Sequence, residues 1–287
     1  VASSPKTVLD WLVARYPTAK KQTLKRMIES RRVRVNGMPA RALKQTLNDI
    51  DIVELTGRRA DFNAPVPAPF PIIYEDSDVL VIDKPPGLLT STVPREPRPT
   101  AWAMAREYIR TKEPRARIGL IHRLDRDASG LLVFSKNDPA YRSLKTQFFK
   151  HSVLRVYSAI VKGVPSPRKD RIESWLVELP DGKMKSTKRP GAGERAVSEY
   201  ETLETAGKIS LVRVTLETGK KHQIRVHLGE RGAPILNDPL YNDDAPCGRM
   251  MLTATQLDFG HPRTGKRMRF ELSLPKEADD LLRVHRK

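Results

Sequence analysis

Between two apolar runs, the segment IGLIHRLDRDASGLLVFSKN at residues 118–137 gathers His122, Arg123, Asp125, Arg126, Asp127 and Ser129 into one polar knot. A carboxylate held in a partly dry cleft beside arginines stays ionised, because neighbouring positive charge lowers its pKa, and an ionised carboxylate can act as a nucleophile. Asp125, with arginines on both sides, is the candidate for that work. The same residues also suit a salt-bridged turn, with Ser129 and Gly130 as ordinary turn chemistry. A second knot, TGKKHQIRVHL at 218–228, brings His222, Gln223, Arg225 and His227 within six residues. On a helix His222 and Arg225 share a face, from which an arginine can pair with the Asp125 carboxylate across a cleft. A capped surface helix is the plainer alternative. His222 and His227 are five apart, not the four that sets two ligands on one helical face, and a single cysteine, Cys247, assembles no Cys-rich zinc site. No metal is expected.

These residues need elements to hold them. Residues 131–135 read as a buried strand that follows the first knot, so Asp125 is expected on a loop. Further strands are expected at 153–162, 196–204 and 209–217, and a short helix at 221–230 carries Arg225. Residues 72–74 and 79–82 flank Glu75, Asp76, Ser77 and Asp78 as a β-hairpin, which Pro85, Pro86 and Gly87 then break. Helical patterns cover about 100–112 and 138–150, the latter with Asp138 as N-cap and Pro139 in the first turn. Helices interspersed with many non-repeating strands give an α+β domain over 71–287. Residues 181–195, DGKMKSTKRPGAGER, suit a basic loop, either in contact with a polyanion or merely solvated.

Ahead of that domain, 57–70 is Pro-rich and suits an extended linker. Residues 1–56 form a separate small domain. Val8, Leu9 and Leu12 mark one helix there; Leu24, Met27 and Ile28 mark another, with Thr18 as candidate N-cap. RRVRVNG follows as a strand entering a tight turn at Asn36 and Gly37. This stretch has eleven Lys/Arg against five Asp/Glu, and Lys20, Lys21, Lys25, Arg26, Arg31, Arg32 and Arg34 crowd the second helix and the hairpin.

Over the whole chain 52 Lys+Arg face 34 Asp+Glu, a formal charge of +18 that draws a polyanion and favours nucleic acid over membrane as partner. No apolar run is long enough to span a bilayer, and VASSPKTVLDWL lacks a signal-peptide core, so a cytoplasmic protein is expected. Nothing like a coiled coil occurs, and a monomer is the default expectation.

HRLDRDASG resembles the motif HRLDxxTSG of RluA-type pseudouridine synthases, and TGKKHQIRVHL is similar to the later arginine motif of that branch. KPPGLLTSTVP at 84–94, YSAIVKG at 157–163, NDPLY at 237–241 and MLTATQLDFGHPRTGKRMRFELSLP at 251–275 extend the likeness over 71–275. TLKRMIESRRVRVNG…NDIDIVEL resembles the small RNA-binding domain named after small-subunit ribosomal protein S-four, a helix pair and β-hairpin that present basic residues to RNA. The resemblance implies a central mixed, largely antiparallel sheet with flanking helices and an active-site cleft. It also implies cofactor-free isomerisation of uridine to pseudouridine in structured RNA, with large-subunit ribosomal RNA favoured and transfer RNA second. By the resemblance Asp125 is the catalytic aspartate, Arg225 the arginine that salt-bridges it and Tyr157 the ring that stacks on the base; Arg123 helps to extrude the base and His122 joins it in contacting RNA.

Two positions depart from the motifs. Ala128 stands where Thr is usual, which takes a hydroxyl from the loop of Asp125, and Asn237 stands where Gly commonly precedes Asp-Pro, a replacement that left-handed backbone tolerates. Charge alone would also suit an inactive RNA-binding or ribosome-assembly protein, although such a chain need not keep both Asp125 and Arg225. A uridine C5-methyltransferase would need a cysteine nucleophile and a glycine-rich cofactor loop, and only Cys247 is present.

Overall fold

Thr7 opens the first described helix, α1 (Val8–Arg15), by accepting the Asp10 amide at 3.2 Å on its hydroxyl. The structure, a computed structural model, describes residues 7–29, 32–48, 51–55, 68–91, 99–242 and 248–286. It divides into two units, Val1–Pro69 with Glu107–Pro114, and Phe70–Arg106 with Arg115–Lys287.

In the first unit α2 spans Lys21–Glu29 and a three-stranded sheet joins β1 (Val33–Val35), β2 (Met38–Pro39) and β3 (Val53–Leu55) in the order β2-β1-β3. Thr18 does not cap α2. The Ala19 amide bonds back to the Tyr16 carbonyl, which puts Thr18 in a turn ahead of the helix, and the first helical bonds run to the Lys20 carbonyl instead. Asn36 (φ +52°) and Gly37 (φ +74°) form the expected tight turn, both in the left-handed region that such a hairpin requires. Leu24, Met27 and Ile28 of α2 face inward on Val8, Leu12, Val33 and Val35. The helical period therefore turns the opposite face outward, and Lys20, Lys21, Lys25 and Arg26 are exposed. Arg32 and Arg34 are half-buried beside them. Arg31 lies outside the described residues, as do 56–67, which hold most of the expected linker.

The second unit is built on one eleven-stranded sheet. Its elements are β4 (Ile72–Glu75), β5 (Val79–Lys84), the first half of α3 (Ala101–Lys112, whose residues from Glu107 on are counted with the first unit), β6 (Gly119–Leu120), β7 (Ser129–Ser135), α4 (Asp138–Phe149), β8 (Leu154–Lys162), β9 (Lys169–Glu178), β10 (Met184–Thr187), β11 (Glu194–Ala206), β12 (Ile209–Leu216), α5 (Gln223–Glu230), β13 (Leu252–Gly260), β14 (Arg267–Glu271) and α6 (Lys276–His285). The order is β10-β9-β11-β12-β8-β13-β7-β5-β4, with β14 on β13 and β6 on β7; every pairing is antiparallel except β7 with β13. The sheet is therefore mixed and largely antiparallel, with helices on its flanks, as expected.

The parallel contact depends on Gly130. Its φ is +109°, and a Cβ there would lie 2.3 Å from the Ala254 carbonyl oxygen, so any larger residue would push β13 away from the strand that follows the Asp125 loop. Leu144 and Phe148 of α4 pack on Val79, Val81, Leu131, Val133 and Phe259, which closes one core. The cap of α4 is Asn137, whose side chain accepts the Ala140 amide at 2.9 Å; Asp138, expected as the cap, takes the first turn instead, where its charge still faces the positive end of the helix. Residues 181–195 are not one loop, since β10 and the start of β11 fall within them. At the β4–β5 turn Asp76 accepts the Asp78 and Val79 amides, each at 2.8 Å. Asp76, Asp78 and His261 bring potential ligand atoms within 4.8 Å of one another, and protein donors occupy both carboxylates: Tyr74 and His261 on Asp76, Arg263 and Asn137 on Asp78.

Candidate active site

Asp125 lies in the loop between β6 and β7, and the loop is gripped on both sides of it. Before Asp125, the Thr90 hydroxyl donates to the Leu124 carbonyl at 2.7 Å and accepts the Leu124 amide at 3.1 Å. After it, the fully buried Lys84 donates to the Arg126 carbonyl at 3.0 Å, and also to the Pro85 and Leu88 carbonyls at 2.8 and 2.7 Å. Burial pushes the Lys84 ammonium down to about 8, against the opposing pull of Asp127, Asp125 and Asp83. The KPPGLLT segment is thus the clamp on the aspartate loop. Its likeness to a motif marked the segment in the sequence, but no spacing rule links residues 84 and 90 to a loop 34 to 42 residues away.

Arg225, in the first turns of α5, reaches the same carboxylate: its Nη1 donates to Asp125 Oδ2 at 3.2 Å. Its other donors are committed elsewhere. Nε and Nη2 form a two-pronged bond to Asp238, at 2.8 and 2.7 Å, and both side chains are almost wholly buried. Such a fork fixes the guanidinium plane and therefore the direction in which Nη1 points. Asp238 is itself held by the Leu240 and Tyr241 amides. The sequence reading assigned no role to Asp238, whose signal was its place in NDPLY. Asn237 before it has φ +59°, the left-handed backbone anticipated for a Gly replacement.

His222 begins α5 with φ +55° and its Nδ1 lies 2.9 Å from the Tyr241 hydroxyl. That hydroxyl already accepts the Met184 amide at 2.7 Å, so its proton goes to a neutral His222; burial keeps the imidazole below its usual pKa.

Tyr157, in the middle of β8, is buried, and burial first of all pushes its hydroxyl up to about 12, so it is a neutral ring at physiological pH. Together with Asp125, Arg225, His222, Phe148 and Leu252 it lines a cleft of about 740 Å³, large enough for a nucleoside. Arg123 is exposed on the cleft wall and has no carboxylate partner among the described residues. Ala128 closes the aspartate loop as a buried side chain, and the loop is held without a hydroxyl there by Thr90 and Lys84.

His122, expected to contact RNA, has a different employment. Where β6 stops at Leu120, the next amide of β7 lacks a strand partner, and His122 Nε2 accepts it, from Val133 at 3.2 Å, while the ring stacks on Phe148 at 4.8 Å. Burial, helped by Arg155 and Lys145, pushes it down to about 3, so the imidazole is neutral with its proton on Nδ1. His227 of α5 is likewise neutral, between Ser174 at 2.9 Å and Ser198 at 3.0 Å, and burial pushes it down to about 4. Unfolded, both histidines titrate near pH 6.5. From there down to about 4 the unfolded chain binds more protons than the folded one, so stability falls with pH in this window. The two together contribute at most about 2.7 kcal/mol per pH unit. Melting curves should show a loss between about pH 6.5 and 4 that is shallower in His227→Gln; equal slopes in the two proteins would remove His227 from this account.

Residues 78–230 match the family described as RNA pseudouridylate synthase. The chain is 32% identical over 302 residues to the ribosomal large subunit pseudouridine synthase D of Neisseria meningitidis serogroup A, covering 97% of this chain and 78% of that protein. It is 34% identical over 287 residues to an uncharacterized RNA pseudouridine synthase of Chloroflexus aurantiacus, covering 95% and 88%. Among solved structures, human RNA pseudouridylate synthase domain containing 4 superposes with a TM-score of 0.62 at 24% identity, over 75% of this chain and 92% of that one. Its counterpart, domain containing 1, gives 0.56 at 20% identity, over 80% and 98%. Both likenesses concern the fold.

Proposed function

The chain belongs to the RNA pseudouridylate synthase family, and from that premise we propose that Asp125 is the carboxylate with which it isomerises uridine in RNA, large-subunit ribosomal RNA being the favoured substrate. The observation that carries this reading is the Asp125–Arg225–Asp238 chain: a half-exposed carboxylate facing the cleft, oriented by an arginine that a second, buried carboxylate immobilises. Turning an N-glycoside into a C-glycoside needs a carboxylate beside the ribose, either adding to C1′ or taking a proton from C2′, while the freed uracil rotates. Tyr157 stacks on the base and keeps it in the cleft. Arg123 enters the space the flipped nucleotide vacates, and extrusion costs a few kcal/mol that contacts to the rest of the RNA must offset.

The exposed basic face of α2 supplies such contacts in this reading, with residues 1–56 as an RNA-binding domain, 57–70 as linker and 71–287 as the catalytic domain of a cytoplasmic monomer. Transfer RNA is the second substrate to test. Affinity for RNA should then fall by about a thousandfold between roughly 50 and 200 mM salt if about six phosphates are contacted. A salt-independent affinity, measured by filter binding, would remove the charged face from the account.

Release of tritium from unmodified ribosomal RNA carrying 5-tritiated uridine, with neither metal nor nucleotide added, tests the activity. Release is expected, because forming the C5–C1′ bond expels the C5 proton. Binding without release, from ribosomal and transfer RNA alike, would leave an RNA-binding protein.

A further inference from the structure

Arg155 is a buried cation with no carboxylate partner among the described residues. It is 7% exposed and lies in the wall of the cleft, on β8 two residues before Tyr157, so the two side chains leave the same face of the strand. Nη2 donates to the Glu217 carbonyl at 2.8 Å and to the Leu216 carbonyl at 3.4 Å. Nε is buried without a partner, and Nη1 has none among the described residues. The guanidinium carbon stands 5.6 Å from the centre of the Phe148 ring. Gly219 makes room for it: a Cβ at that position would lie 2.4 Å from Nη1, closer than any real contact.

A buried charge without a counter-ion costs several kcal/mol, and the two backbone carbonyls that Nη2 meets, at 2.8 and 3.4 Å, carry no net charge to offset it. The expense points to a negative partner that arrives with the substrate. That partner is not a backbone phosphate. A phosphate approaching the cleft would meet first Arg123 and Lys145, which are exposed on its wall and have no carboxylate partner among the described residues. Arg155 sits deeper, beside the ring proposed to stack on the base.

Building on the reading of this cleft as the site of uridine isomerisation, we propose that Arg155 holds the negative charge of the detached uracil. When the C1′–N1 bond breaks, its electron pair leaves with N1 and spreads onto O2 and O4. The free guanidinium N–H groups donate hydrogen bonds to one of these oxygens while the ring turns. The C5 carbon then attacks C1′, displacing the carboxylate or drawing back the C2′ proton, the C5 proton departs, and N1 takes up a proton. Arg155 is thereby a catalytic residue for the departure of the base, whereas Asp125 acts at the ribose.

The test compares Arg155→Met with the unaltered protein on two RNAs, one carrying uridine and one 5-fluorouridine at the target, under single-turnover conditions, with loss of the starting nucleoside read after digestion. With uridine the variant should be slower by about a hundredfold, the loss typical of one donor to a developing anion. RNA affinity should change by less than about twofold, since ground-state contacts are elsewhere. Fluorine stabilises the departing anion by itself, so the deficit should shrink by about tenfold on 5-fluorouridine. Melting should change little in the variant, because removing an unpaired charge offsets the loss of its bonds to the Glu217 and Leu216 carbonyls. Equal deficits on both RNAs would overturn the proposal and leave Arg155 as a positioning residue for Tyr157. Weakened affinity with an unchanged rate would make it a phosphate contact. If Arg155→Met does not fold, Arg155→Lys, which keeps the charge but not the fork, should show a smaller deficit with the same dependence on fluorine. No isomerisation by the unaltered protein would instead refute the reading of the cleft.

Discussion

Asp125→Asn should abolish tritium release, lowering the rate by roughly 10⁴-fold, while leaving RNA binding and the melting temperature nearly unchanged. The asparagine oxygen can still accept the Arg225 Nη1 bond now made at 3.2 Å, and Arg225 remains neutralised by its two bonds to Asp238. The side chain is partly exposed, so its replacement opens no cavity. What disappears is the charge, and with it the only group proposed to act on the ribose. Filter binding, circular dichroism and release assays on one preparation would separate these effects. An active Asp125→Asn protein would sink the assignment, and a misfolded one would show that the carboxylate serves the loop rather than the reaction.

Asp238→Ala should do the opposite in kind: lose stability and activity together. Arg225 and Asp238 are 3% and 0% exposed in their side chains, and removing the acid strands a buried guanidinium whose remaining partner, Asp125, meets it through one bond. Breaking a buried pair from one side costs about 3–5 kcal/mol. For a chain of this size that corresponds to a fall of roughly 6–20 °C in Tm. Surviving folded protein should have a lowered kcat, because Nη1 is no longer aimed. The double change Arg225→Met with Asp238→Leu, which removes both charges, should regain much of the stability and none of the activity. Recovery of activity in the double variant would mean that the pair is dispensable to Asp125. A single variant that melts like the unaltered protein would mean that the fork contributes little to the fold.

Lys84 and Thr90 show where legibility in the sequence ended. Local rules reach a few residues: they located α1, α2, the Asn36 and Gly37 turn and the hairpin of β4 and β5, since each depends on periodicity or on backbone that few residues tolerate. They erred by a residue or a turn at Thr18 and Asp138, because neighbouring hydrogen-bond acceptors compete for a helix start and only the realised geometry chooses among them. They did not show that His122 would spend its acceptor on Val133, since this depends on where β6 ends.

By itself, then, the sequence determined the kind of protein and the candidates for its reacting residues: the order and spacing of HRLDRDASG and TGKKHQIRVHL, the excess of +18, and an α+β alternation of elements. Asp125 and Arg225 were paired through the resemblance of those motifs, 100 positions apart. The tertiary structure decided what holds that pair. Strand order brings Lys84 and Thr90 under the aspartate loop, α5 and the segment after it set Asp238 behind Arg225, and Gly219 leaves space for Arg155. A buried charge takes its partner from whatever the fold places within hydrogen-bond reach, and proximity between elements distant in the chain is a property of their packing, which no local pattern of residues encodes.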